Sequence, residues 1–145
     1  MSNNYTTLEQ SEKLLELGLS PETADMYWKK SPILNHKDRW IPHIINKLPI
    51  LFDDDDIIPR WSLGTLLKLM PKTISVPVDE RSAYFYNLEW QFANDNSLRY
   101  ITTNRSKCLI DMYSDHDIGS KSFIETAFDM MVWLLENGYI KTENK

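Results

Sequence analysis

The chain has 145 residues, of which 42% are apolar, 12% aromatic and 26% charged, a composition that excludes a disordered body and suits one folded domain. Its net charge of −5 argues against nonspecific binding to polyanions, which draws its affinity from clustered Lys and Arg. The single cysteine, Cys108, excludes an intramolecular disulfide and fits a reducing compartment.

Residues Met1 to Gln10 lack the basic and apolar regions of a secretory signal. The longest uninterrupted apolar run, Met130 to Leu135, is too short to span a bilayer. A soluble, cytoplasmic protein with no membrane partner is the expectation.

Thr7-Leu8-Glu9-Gln10 matches a capping box, and Leu8, Leu14, Leu15 and Leu17 then form an apolar stripe that Gly18 can end. Ser20-Pro21 predicts a second helix start, with Ala24, Tyr27 and Trp28 as its apolar side. Residues 8–30 are therefore expected to form a helical hairpin.

Four of the seven prolines, Pro32, Pro42, Pro49 and Pro59, lie between Ser31 and Arg60. They predict a variable, largely irregular loop over 31–60, with at most a helical turn near Ile41 to Leu48. Trp61 to Met70 reads as a short buried helix closed by Pro71, with Gly64 allowing close packing. Ile74 to Val78 reads as a strand confined to a sheet edge by Pro77.

From Ala83 to Phe92, Tyr84, Tyr86, Leu88, Trp90 and Phe92 alternate with Asn87, Glu89 and Gln91, which predicts a strand with one aromatic face. Two further strands, Leu98 to Thr103 and Lys107 to Tyr113, complete an antiparallel meander. Ser122-Phe123-Ile124-Glu125 is a second capping box. It opens a helix, Phe123 to Asn137, whose Ile124, Ala127, Phe128, Met131, Leu134 and Leu135 recur at helical spacing. The expected fold is one α+β domain over 1–145: N-terminal helical hairpin, one antiparallel sheet of three to four strands within the 61–140 unit, and a C-terminal helix across it.

Three blocks also carry a resemblance. Tyr5 to Asp25 (YTTLEQSEKLLELGLSPETAD), Pro59 to Pro71 (PRWSLGTLLKLMP) and Met131 to Lys141 (MVWLLENGYIK) resemble short uncharacterised proteins of gut anaerobes and their mobile elements. They cover about a third of the chain. The closing strand-to-helix pattern is more weakly similar to phage sandwich-type α/β domains of unknown function. The resemblance implies a fold and a genomic setting, and it transfers no site.

Chemistry-bearing clusters are few. Asp53 to Asp56 offer carboxylates to a hard cation, but the spacing fails the calcium-loop pattern, with Ile58 and Gly64 at the places of its glycine and its final glutamate. Asp115-His116-Asp117 has ligand types yet reads as a polar turn before a helix. Cys108 with His116 has the residue types of a thiolate pair, but Cys108 should share a buried face with Ile110 and Met112. Gly18, Gly64, Gly119 and Gly138 are too scattered to cradle a phosphate.

No catalytic, cofactor-binding or metal-ligating residue is assigned, and no cofactor is expected. The segment with Lys29, Lys30, Lys37, Arg39 and Lys47 interleaved with Trp28, His36, Trp40 and His43 is the candidate contact region. Trp28, Lys37, Arg39, Trp40 and His43 are its leading residues. Helix-turn-helix readout is disfavoured because Pro21 to Trp28 carries Glu22 and Asp25 and no Arg. A double-stranded RNA module would need a basic start to the last helix, which Lys121 to Glu125 lacks.

The leading expectation is a non-enzymatic protein-interaction or accessory module in a phage-like or mobile-element setting. The alternatives are a nucleic-acid-associated regulator using Lys29 to Lys47 and a metal-dependent hydrolase.

Overall fold

A computed structural model describes residues 4–30, 40–44, 57–92, 96–114 and 122–142. In chain order they form helix α1 (Leu8–Glu16), a 3-10 turn (Pro21–Thr23), strands β1 (Met26–Lys30), β2 (Trp40–Ile44) and β3 (Ile57–Arg60), and helix α2 (Leu63–Leu69). Strands β4 (Thr73–Pro77), β5 (Ala83–Phe92), β6 (Asn96–Thr102) and β7 (Cys108–Ser114) and helix α3 (Phe123–Glu136) follow. The fold is α+β, with helices near both ends. No helix among the described residues is long and apolar enough to cross a membrane.

The four later strands pair antiparallel in the order β4-β5-β6-β7, a meander with β4 at one edge, as Pro77 requires. Leu88 N–H donates to Lys72 O, and Val78 N–H to Ser82 O, each at 2.9 Å. That parity commits Ile74 and Val76 to β5 and turns the backbone groups of Thr73, Ser75 and Pro77 to the free edge. A short strand with one donor removed by proline is a poor template for edge-to-edge pairing.

One face of this sheet carries Ile74, Tyr86, Leu98 and Tyr100, all buried, with Leu88 and Trp90 partly buried beside them. Helix α3 closes that face through Ile124, Ala127, Met130, Met131, Leu134 and Leu135. Both expected capping boxes are present, on Thr7 with Gln10 and on Ser122 with Glu125, so each helix begins where its side chains satisfy exposed N–H groups. The Tyr100 hydroxyl donates to Pro71 O at 2.7 Å, and burial pushes its pKa well up.

The expected second arm of the N-terminal hairpin does not form. Ser20 and Pro21 start only one 3-10 turn, because Thr23 Oγ1 donates back to Ser20 O at 2.6 Å and Ala24 turns extended. Tyr27 and Trp28, aromatics that suit a pleated surface, then lie in the central strand of a second antiparallel sheet, ordered β2-β1-β3. The fold thus has two sheets where one was expected.

The loop anticipated over 31–60 contributes strands at 40–44 and 57–60, the former in place of the helical turn near Ile41. Pro42 and Pro59 are tolerated because β2 and β3 are the edges of this sheet.

Trp61, fully buried, directly follows β3 and belongs to the core cluster that the four-stranded sheet shares. Its backbone N–H donates to Thr6 Oγ1 at 3.0 Å and its indole N–H to Thr23 Oγ1 at 2.9 Å. Asp25 Oδ1 accepts from Ser62 N–H at 2.8 Å, while Ser62 caps α2. Gly18 ends α1 at φ +98°, and a Cβ there would stand 2.8 Å from Thr142 Cβ, so both conformation and space require glycine. Gly64 does not mediate the close packing expected of it among the described residues, where a Cβ would meet nothing within 4 Å.

Candidate functional site

Of the sequence-derived contact residues, Trp28, Trp40 and His43 lie on the paired strands β1 and β2. Lys37 and Arg39 lie outside the described residues, as do Asp53 to Asp56 and Asp115 to Asp117 with His116. Trp40 and His43 belong to β2, where the register opposes them to Lys30 and Tyr27. Lys29 is exposed on β1.

Trp28 packs against a neighbouring cation. The Arg60 guanidinium sits 4.2 Å from the centroid of its ring and 4.9 Å from that of Tyr5. Arg60 is itself buried and donates from Nε to Thr6 O at 3.0 Å. Burial lowers its pKa, with the nearby Tyr5 and Asp25 opposing that shift.

Cys108 is not in the core. Tyr100 pairs with Ile110 but Ile101 pairs with Cys108, so β7 has one extra residue and its alternation breaks at Leu109. Cys108 therefore lies exposed on the outer face, opposite to Ile110. Partial desolvation of the sulfur, followed by the charge of Asp111, pushes its pKa up, the reverse of nucleophile activation. Among the described residues no group of three His, Cys, Asp or Glu side chains comes together to ligate a metal.

The outer face of the four-stranded sheet is polar and cross-linked. Thr73 Oγ1 donates to Asn87 Oδ1, and Asn87 Nδ2 donates to Thr103 Oγ1, both at 3.0 Å. Arg99 stands between Glu89 and Asp111 at 3.9 Å from each, and Ser97 donates to Asp111. Arg105 Nη1 reaches both oxygens of Glu89 at 2.8 and 2.9 Å.

The β4–β5 and β6–β7 turns lie at the same end of this sheet, and exposed apolar side chains stand near it on both faces, Val78 and Tyr84 on the face of Tyr86 and Phe85 on the polar face. Val78, Tyr84 and Phe85 are 53%, 40% and 58% exposed, three of the four large hydrophobic side chains exposed among the described residues. Phe85 interrupts the polar face: it lies opposite Ser75 on β4, two places before Asn87. Beside it a shallow depression of about 370 Å³ is lined by Ala83, Tyr84, Phe85 and the hydroxyl and amide groups of Thr102, Thr103, Asn104 and Ser106.

Both turns are internally braced. Asp79 Oδ1 accepts from Arg81 N–H at 2.8 Å and Ser82 N–H at 3.0 Å, contacts that lower its carboxyl pKa. Asn104 Oδ1 accepts from Thr102 Oγ1 at 2.8 Å and from Ser106 N–H and Oγ at 3.0 and 2.7 Å. This fixes a turn that holds Arg105 at φ +62°, a left-handed conformation with a cost of about 1–2 kcal/mol for a residue with a Cβ.

The signal in the sequence was Phe85 itself, an aromatic at a position whose alternation calls for a polar side chain. No family model, curated protein or solved structure matches this chain.

Proposed function

We propose that this chain is a non-enzymatic interaction module, cytoplasmic and acting on a protein partner, with its contact surface at the end of the four-stranded sheet formed by Val78, Tyr84 and Phe85. The observation that supports it is exposure: Val78, Tyr84 and Phe85, three of the four large hydrophobic side chains exposed among the described residues, lie near one end of the sheet, where Tyr84 and Phe85 help line a depression beside the braced β6–β7 turn. Rigid turns lower the entropy lost on docking. The sequence resemblance supplies the phage-like or mobile-element setting of this reading.

The test is Phe85→Ser, at a side chain that is mostly exposed and outside the core. Crosslinked proteins captured from host lysate by the full chain should disappear with this variant, while its circular dichroism and melting temperature stay unchanged. The same proteins retained by Phe85→Ser would overturn the placement of the surface. Capture abolished by nuclease would favour the nucleic-acid reading instead.

A further inference from the structure

We draw no further inference here: the strongest candidate, the β7 edge of the four-stranded sheet, which has no strand paired beyond it among the described residues and, unlike the β4 edge, carries no proline, supports no proposal because nothing in the structure shows what covers it.

Discussion

Between Ala83 and Glu136 each strand pairs with its immediate neighbour in sequence, and the shared face is closed by the apolar side of α3. Between Met26 and Arg60 three strands separated by long intervals pair instead, and their described anchors to the rest of the chain are largely polar. The apolar cluster that unites α1, α2, α3 and the four-stranded sheet includes Ala24 and Trp61, which flank the smaller sheet, and no side chain described on β1 or β3. One region is held by contact area that a sequence pattern reveals. The described anchors of the other include particular hydrogen bonds and Arg60 between two rings, beside the buried Met26 and Pro59, and they depend on pairings distant in the chain.

The sharpest test of that contrast is loss of shared core volume. Leu134 is fully buried in α3, and Leu134→Ala should cost about 2–5 kcal/mol through lost transfer energy and the cavity left behind. Denaturant unfolding monitored by far-ultraviolet circular dichroism and by tryptophan fluorescence should show one shifted transition. Two separated transitions would mean that the sheets are independent folding units.

A second substitution should act on the smaller sheet. Thr6 is fully buried; its Oγ1 accepts from Trp61 N–H and shares a hydrogen bond of 2.8 Å with Ser11 Oγ. Its backbone N–H donates to Trp61 O, and its carbonyl accepts from Arg60 Nε. Thr6→Val keeps the shape and removes the hydroxyl, leaving the Trp61 N–H without its acceptor, at a cost of about 1–3 kcal/mol. Hydrogen exchange should accelerate at Met26 to Lys30 and Ile57 to Arg60 more than in β5 and β6. Uniform acceleration would show that Thr6 supports the whole core.

The same division governs what the sequence revealed. The meander, the edge placement of β4, both capping boxes and the face of α3 were legible because period-2 and period-3.6 patterns and cap residues act over a few neighbours. Met26 to Lys30 was misread because Ser20-Pro21 is a valid helix start whose continuation is decided by Trp61 and Thr23, 38 residues apart. Cys108 was misplaced because one extra residue at Leu109 reverses the faces of β7, and a bulge has no local mark there. In the candidate site, Phe85 breaks the alternation of β5, a local signal that the reading of Ala83 to Phe92 passed over. Its junction with Thr103 and Ser106 needed the strand register.

The smallest expected effect concerns Gly64, where a plausible sequence reading and the structure predict opposite signs. If that glycine permitted close packing, a methyl group would clash and Gly64→Ala would destabilise. Among the described residues the structure gives open space around the Cβ, an ordinary helical backbone in α2 and a Ser62 cap that the change does not touch. Alanine restricts the unfolded chain and favours the helix, so Gly64→Ala should stabilise by about 0.5–1 kcal/mol, read as a higher denaturant midpoint at unchanged slope. A lowered midpoint would instead place another part of the chain against α2 at this position.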